Sequence, residues 1–313
     1  MSHWMKWIVS ACTVALLAAC GGNDDDEPAA QPKNIVQTAQ SDSRFSILVE
    51  AVVAADLATT LSAPGPFTVF APTNDAFVSL LAELGVTKDQ LLADKALLTA
   101  VLTYHVLPAK VLRADVPAGK ANTTLQGGIF KVDAVGTDLV ITDGRNRTAK
   151  ITATDLEASN GVIHVVDKVI LPANQTVVQT AQALPDFSIL VDAVVAANLQ
   201  GTLSGTGPFT VFAPTNAAFA DLLSELGVTK DQLLSDVPLL TRVLTYHVLS
   251  GRVLKADVPV GSAIATVEGG TFTVDGGLAI TDQRGRRAGI VATDVLASNG
   301  VIHVIDKVIL PAP

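Results

Sequence analysis

Apolar residues recur along the chain first at helical and then at strand-like spacing. The first stripe has the i, i+3, i+4, i+7 spacing of an amphipathic helix and consists of Phe45, Leu48, Val49 and Val52. The segment Phe67 to Phe70 then predicts a short buried strand. Ala71-Pro72 should end that strand, because proline cannot donate to a sheet ladder.

Polar residues with capping chemistry predict the starts of the next helices. Thr73 or Asn74 is expected to cap a helix that ends at Gly85, since glycine readily adopts the left-handed conformation found there. Thr87-Lys-Asp-Gln90 has the capping-box pattern and starts another helix. Asp94 is expected to cap a third helix, over residues 96–104.

After Tyr104 the pattern changes to short runs of Val, Ile and Thr, at 129–132 and 139–142. Asn160-Gly161 predicts a hairpin with a type I′ turn, because both residues tolerate positive φ. Residues 162–171 then predict a long closing strand. Helices first and strands later predict an α+β fold with a mostly antiparallel or mixed sheet.

The whole pattern occurs twice. The segment Phe67 to Asn74 returns at Phe209 to Asn216, 142 residues later, and Asn160 to His164 returns at Asn299 to His303, 139 residues later. Each copy has the size of an independent domain, at about 140 residues, and is too long for a solenoid unit. Since only residues 173–175 separate Pro172 from the next helix, the two modules are expected to touch.

Three motifs, present in order in both copies, resemble those of fasciclin-like domains. They are Thr68-Val-Phe-Ala-Pro-Thr-Asn-Asp-Ala-Phe77, Tyr104-His105 and Asn160-Gly-Val-Ile-His-Val-Val-Asp-Lys-Val-Ile-Leu-Pro172, with counterparts at 210–219, Tyr246-His247 and 299–311. Ala217 in place of Asp75 is one departure. The resemblance covers about residues 34 to 313 and implies, for each module, a wedge-shaped β core with packed helices. It also implies adhesion or matrix contact at a bacterial cell surface.

The N-terminus has the features of an export signal. Residues 8–17 form an apolar run too short to span a bilayer, and Leu17-Ala-Ala-Cys20 resembles a bacterial lipoprotein cleavage site more closely than an ordinary secretory one. The predicted organisation is a signal peptide over 1–19, a disordered tether over 20–33, and domains over 34–172 and 173–313. Acylated Cys20 would anchor the protein to a membrane, with Gly21 favouring the outer membrane or a periplasm-facing site.

Composition narrows the classes of partner. The full chain carries 21 basic and 30 acidic residues; without residues 1–19, which contain only Lys6 among them, the balance is 20 minus 30, or −10. An acidic exported protein is a poor candidate for nucleic-acid binding, which needs a basic surface. Both tryptophans lie in the signal, so platforms for stacking sugars are scarce. We expect a protein or polysaccharide partner and no cofactor.

Histidines are the main candidates for chemistry. His105 and His164, with His247 and His303, could be imagined as metal ligands or general bases, yet the chain lacks the spacings of the common metal and nucleophile motifs. A structural role is favoured, since buried His and Tyr need polar partners. Tyr104 with His105, and Tyr246 with His247, are therefore predicted to be structural motifs, and no catalytic residue is predicted.

A basic loop recurs in both modules. It consists of Arg145, Arg147 and Lys150 in the first, and of Arg284, Arg286 and Arg287 in the second. The favoured interpretation is a soluble hairpin tip balanced by nearby aspartates; the alternative is an anion-binding edge for acidic glycans or a partner protein. The sequence thus predicts a non-enzymatic, lipid-anchored interaction protein. A periplasmic binding module for a small or lipidic ligand is the alternative, and a hydrolase is a distant third.

Overall fold

The structure is a computed structural model that describes residues 31–313, and residues 33–313 form one compact unit. The predicted signal peptide, Cys20 and most of the predicted tether lie outside the described residues. Their assignments stay predictions.

The first module contains six α-helices and seven strands among the described residues. The helices are α1 (Ile35–Gln40), α2 (Ser46–Ala54), α3 (Ala58–Ser62), α4 (Asn74–Leu84), α5 (Lys88–Ala93) and α6 (Lys95–Tyr104). The strands are β1 (Phe67–Pro72), β2 (Val106–Leu107), β3 (Ala121–Thr123), β4 (Ile129–Val135), β5 (Asp138–Thr142), β6 (Thr148–Ala158) and β7 (Gly161–Val166). Short 3-10 helices lie at Ser43–Phe45 and Arg113–Asp115.

The second module repeats these elements in the same order. Its helices are α7 (Val177–Gln182), α8 (Ser188–Ala196), α9 (Gln200–Leu203), α10 (Asn216–Leu226), α11 (Lys230–Ser235) and α12 (Val237–Tyr246). Its strands are β8 (Phe209–Pro214), β9 (Val248–Ser250), β10 (Ala263–Ala265), β11 (Thr271–Val274), β12 (Ala279–Thr281), β13 (Arg287–Ala297) and β14 (Gly300–Ile305). The 3-10 helices are Pro185–Phe187 and Lys255–Asp257.

Each module has one seven-stranded mixed sheet, which confirms the predicted α+β class. The strand order is β2-β1-β7-β6-β5-β4-β3 in the first module and β9-β8-β14-β13-β12-β11-β10 in the second. β1 runs parallel to β7 and the other neighbouring pairs are antiparallel. β1 continues through Pro72, beyond the predicted end at Phe70. At Pro72 the strand is paired with β7 only, since β2 does not reach it, and proline is tolerated at such an edge position.

The strand β1 separates two hydrophobic clusters, and its side chains alternate between them. Val69 and Ala71 pack with the helices, in a cluster that includes Phe77, whereas Phe70 packs with Phe130 inside the curved sheet. This alternation follows from the two-residue period of a strand. A strand buried on both faces explains why β1 is apolar on both faces apart from Thr68, whose buried hydroxyl donates to Ala109 O at 2.6 Å.

The local capping predictions are confirmed. The Thr73 side chain accepts from the Ala76 backbone and caps α4, and Gly85 follows the helix with a φ of 66°. Thr87 forms the full capping box with Gln90. Asp94 accepts from the Leu97 backbone and caps α6, which begins one residue before the predicted start.

The Asn160-Gly161 hairpin forms, but the predicted type I′ turn is wrong. Ala158 lies opposite Gly161, so the loop consists of Ser159 and Asn160, and neither Asn160 nor Gly161 has a positive φ. The Asn160 side chain instead accepts from Ile35 N at 2.9 Å and donates to two carbonyls at the end of α3. A Cβ at Gly161 would lie 2.0 Å from Phe67 O, so this glycine allows two strands to approach each other.

The closing strand is shorter than the sequence predicts, because β7 ends at Val166. The segment that follows bonds to side chains instead of a sheet ladder. Ile170 N donates to His105 Nε2 at 3.0 Å, and Leu171 N donates to Asp143 Oδ2 at 2.9 Å. Two buried polar side chains therefore satisfy backbone donors that a longer strand would have paired.

Candidate functional site

His105 and His247 connect the end of a helix to the segment after the closing strand. His105 Nδ1 donates to Val101 O at 2.7 Å while its Nε2 accepts from Ile170 N at 3.0 Å. His247 repeats this with Val243 O at 2.8 Å and Ile309 N at 3.1 Å. Burial lowers the pKa of both imidazoles to about 4, so each ring is neutral at pH 7 with both nitrogens engaged.

Tyr104 and Tyr246 have partners of their own and do not bond to the adjacent histidines. The Tyr104 hydroxyl donates to Ile129 O, and the Tyr246 hydroxyl donates to Thr271 O at 2.7 Å. Burial raises the pKa of the Tyr104 hydroxyl, and it raises that of Tyr246 to about 12. Each Tyr-His pair thus joins a helix to a strand, β4 or β11, and to the segment that follows the closing strand.

His164 and His303 lie on the closing strands and are also saturated. His164 Nε2 donates to Val111 O at 2.9 Å, and its Nδ1 accepts from Asp155 N at 3.3 Å. Burial lowers the pKa of both rings. Within residues 31–313 no three His, Cys, Asp or Glu side chains converge as a metal site would require.

In the first module Arg145 and Arg147 lie in the loop between β5 and β6, and Lys150 lies at the start of β6. Internal contacts engage most of these side chains. Arg147 binds Asp143 at 2.9 Å and Glu83 at 2.7 Å, and Lys150 binds Asp138 at 3.2 Å. Arg145 packs beside the apolar side chains of α4 and α6. These carboxylates offset much of the loop's charge.

The equivalent loop of the second module has the same character. Arg286 pairs with Glu225 at 2.7 Å and Arg287 pairs with Asp275 at 2.5 Å. Arg284 donates to Pro311 O at 2.9 Å. A role of these six residues in partner binding stays a prediction, and any partner would have to compete with internal carboxylates.

Asn146 is an interface residue that the sequence analysis missed. Its backbone is left-handed, with a φ of 61°, and its side chain bonds to both backbone groups of Leu296 on β13, at 3.0 and 2.6 Å. The tip of the first basic loop therefore docks on the second module. The only signal in the sequence was a difference between the copies: Gly285 stands at the position equivalent to Asn146.

Two ion pairs and an apolar cluster also contribute to the contact between the modules, and in the more exposed pair Lys120 lies 3.7 Å from Asp257. Lys131 binds Asp294 at 2.9 Å, and the Asp294 side chain is only 2% exposed. Ile129 packs with Leu254, Leu296 and Val301. These contacts confirm the expectation that the two modules touch.

Each module also contains a narrow apolar crevice between its first two helices and its core strands. In the first module it lies among α1, α2 and β1 and is also lined by His105, and in the second it lies among α7, α8 and β8 and is also lined by His247. The volumes are about 30 and 40 Å³. Such a space holds roughly two or three water-sized groups, so a larger ligand would have to separate the helices.

Sequence comparison matches both modules to one family. The Fasciclin domain model matches residues 43–172 and 185–311. The chain belongs to the fasciclin domain family. The two matches follow the internal repeat and bear out the resemblance carried by the three motifs, so each module is a fasciclin domain.

Relatives of this fasciclin pair come from animals and bacteria. The transforming growth factor-beta-induced protein ig-h3 of Sus scrofa is 32% identical over 80% of this chain, and the match spans 35% of that protein. The cell surface glycolipoprotein MPB83 of Mycobacterium bovis is 40% identical over 36% of this chain and 48% of its own length. A FAS1 domain pair from the insect cell adhesion molecule fasciclin I has a TM-score of 0.43 at 19% identity, covering 88% of this chain and 95% of that one.

The chain therefore spans about a third of the length of ig-h3. Among residues 31–313, no helix combines the length and the apolar character needed to cross a membrane.

Proposed function

We propose that the protein is a lipid-anchored interaction protein of the bacterial cell envelope, in which two fasciclin domains act without catalysis. The observation that carries this proposal is the fusion of two matched fasciclin domains to a Leu-Ala-Ala-Cys20 signal. A bacterial relative that is a cell surface glycolipoprotein supports the same location. The partner is a protein or a polysaccharide at the cell surface, and the membrane is reached through the lipidated N-terminus.

The chemistry of the histidines supports a binding role without catalysis. General-base catalysis needs an imidazole nitrogen that can take a proton from the substrate near neutral pH. In this chain both nitrogens of His105 bond to the backbone, and so do both nitrogens of His164. Their pKa values are lowered by burial, which disfavours protonation further.

The anchor is tested by Cys20→Ser. We expect the variant to move from the membrane fraction to the soluble fraction, because it lacks the thiol that carries the acyl chain. Cys12→Ser is the matched control, since residue 12 lies in the segment removed with the signal. Membrane association of Cys20→Ser equal to that of the wild type would refute the lipid anchor.

The adhesion role is tested separately in the native host. A strain that lacks the gene should attach less to surfaces and build less matrix, and the wild-type gene should restore both. Normal attachment and matrix in the deletion strain would contradict the adhesion proposal while leaving the anchor unaffected.

A second candidate function, binding of a small apolar ligand, is favoured by the paired crevices. They occupy equivalent positions in both domains and are lined almost entirely by apolar side chains. Their small volume argues against a preformed lipid site. A ligand would need to part α1 from α2, or α7 from α8, as it enters.

The crevice hypothesis is tested by the paired change Val49→Phe and Val191→Phe. These half-buried residues line the two crevices, and phenylalanine should fill the space. Val53→Phe with Val195→Phe is the control, because these residues lie on the same helices at 57% and 54% exposure. If the crevices bind apolar ligands, a fluorescent fatty acid should bind the wild type and the control but not the filled variant. Equal binding by all three proteins would locate any such site elsewhere.

A further inference from the structure

A polar cavity of about 310 Å³ lies between the two domains. We call it the inter-domain cavity. The first domain and the linker contribute Gln126, Gly144 and Ala173, and the second contributes Arg252 and Ser298. Its volume falls at the lower end of the range for small-molecule sites. Its wall is polar, in contrast to the apolar crevices.

Arg252 has no anionic partner within the described part of the chain. Its Nε atom is fully buried and has no hydrogen-bond partner among residues 31–313, so it is the terminal nitrogens of the guanidinium that can face the cavity. Burial lowers the pKa of the guanidinium, which reflects the cost of holding this charge away from water. The equivalent residue of the first domain, Lys110, pairs with Glu157 at 3.4 Å. The second domain has Leu296 at the position of Glu157, so the cation is retained where its carboxylate has been lost.

The linker after the first domain also lacks a hydrogen-bond acceptor that the second domain has. In the second domain, Ala312 N donates to Gln283 Oε1 at 2.9 Å. The equivalent residues of the first domain are Ala173 and Gly144, and glycine has no side chain to accept from the Ala173 N–H. Gly144 is required there, because a Cβ would lie 2.2 Å from Ala173 N. The space that a glutamine fills in one domain is thus part of the cavity in the other.

A third difference between the domains is that the first has the neutral Gln126 where the second has Glu268. Glu268 of the second domain accepts from Gly270 N at 2.9 Å. Its counterpart Gln126 accepts from Gly128 N at the same distance, which leaves the Nε2 amide group as a donor. Ser298 also lines the cavity, and its side chain carries a hydroxyl group that can donate. The wall therefore combines a cation with several donors.

We propose that the inter-domain cavity binds a small oxyanion, a carboxylate or phosphate group, against the Arg252 guanidinium. A guanidinium matches both groups through paired, charge-assisted hydrogen bonds. Gln126, Ala173 and Ser298 line the same cavity, and each carries a donor group that could add to the binding of the oxyanion. The site exists only when the two domains are together, since each contributes part of it.

The proposal is tested by calorimetric titration of the mature two-domain protein with sodium phosphate, sodium succinate and sodium glucuronate at constant ionic strength. We expect saturable binding of one anion per protein molecule. The anion that binds most tightly shows whether the site prefers a phosphate or a carboxylate group. Arg252→Met should weaken binding by about tenfold or more, because it removes a charge-assisted hydrogen bond. Gln126→Glu should also weaken binding, since it restores the negative charge that Glu268 supplies in the other domain.

Lys110→Met is the matched control. It removes the equivalent cation of the first domain, whose partner is Glu157, and binding should stay within about twofold of the wild type, the variation expected for a surface change. Gln126 is exposed and Glu268 makes the same backbone contact, so Gln126→Glu should fold even if Arg252→Met does not. Failure of all three anions to bind the wild type, or undiminished binding by a folded Arg252→Met or Gln126→Glu variant, would overturn the proposal.

Discussion

Lowering the pH from 7 to 5 is expected to destabilise the folded mature chain by about 4 kcal/mol through His105 and His247, about 2 kcal/mol from each. Both rings are buried, and burial lowers their pKa values to about 4, against an ordinary value of 6.5. The unfolded chain takes up these protons below pH 6.5, whereas the folded chain resists doing so until about pH 4. Unfolding therefore becomes more favourable as the pH falls through this window.

The hydrogen bonds explain why the folded state resists the proton. The Nε2 atoms of His105 and His247 accept from backbone N–H groups, and protonation would turn each acceptor into a donor facing another donor. His164 and His303 have pKa values shifted in the same direction, so they add to the loss. Through these four rings, a modest fall in pH lowers the stability of both domains.

Urea unfolding at pH 7, 6.5, 6, 5.5 and 5 measures this effect as the slope of unfolding free energy against pH. In the upper part of this range most carboxylates remain ionised, so the slope reports the histidines. NMR titration of the four imidazoles supplies the independent control. A flat unfolding free energy between pH 6.5 and 5, or imidazole pKa values near 6.5 in the folded protein, would contradict the prediction.

The features that the sequence predicted well depend on neighbours along the chain. Thr73, Thr87 and Asp94 act on backbone groups two or three residues away, so their patterns were sufficient to locate helix starts. The prediction of a type I′ turn was wrong because contacts distant in the sequence decide the conformation there. Asn160 has tertiary partners at Ile35 and α3, which no local pattern reveals, and these contacts override the turn preference of Asn-Gly.

The interface between the domains was hidden because it depends on differences between the copies. The residues that the two copies share are mainly core and capping residues, and these do not mark an interface. Asn146 of the first domain stands where the second has Gly285, and Leu296 of the second stands where the first has Glu157. Asn146 and Leu296, the residues that differ between the copies, are hydrogen-bonded to each other. Divergence within a tandem repeat is therefore the informative signal for its interface and for the inter-domain cavity.

A second large effect is expected from the ion pair between Lys131 and Asp294 at the interface. Asp294→Asn is expected to lower the unfolding free energy by about 3 kcal/mol, because it leaves a largely buried ammonium facing an amide. The Lys131 side chain is 13% exposed, and its other carboxylate, Asp133, lies 3.2 Å away. That second contact limits the loss to the lower end of the range for broken buried pairs.

Asp155→Asn is a matched control within the same chain. Asp155 and Asp294 both have left-handed backbones, with φ of 58° and 61°, and both accept a backbone N–H, from Arg113 and Lys255 respectively. Only Asp294 also binds a lysine of the other domain. Asparagine tolerates the left-handed conformation, so the backbone contributes equally to both variants. The difference between the two variants in urea unfolding free energy therefore reports the ion pair together with the deeper burial of Asp294, which is 4% exposed whereas Asp155 is exposed. Equal losses would show that this pair does not couple the domains.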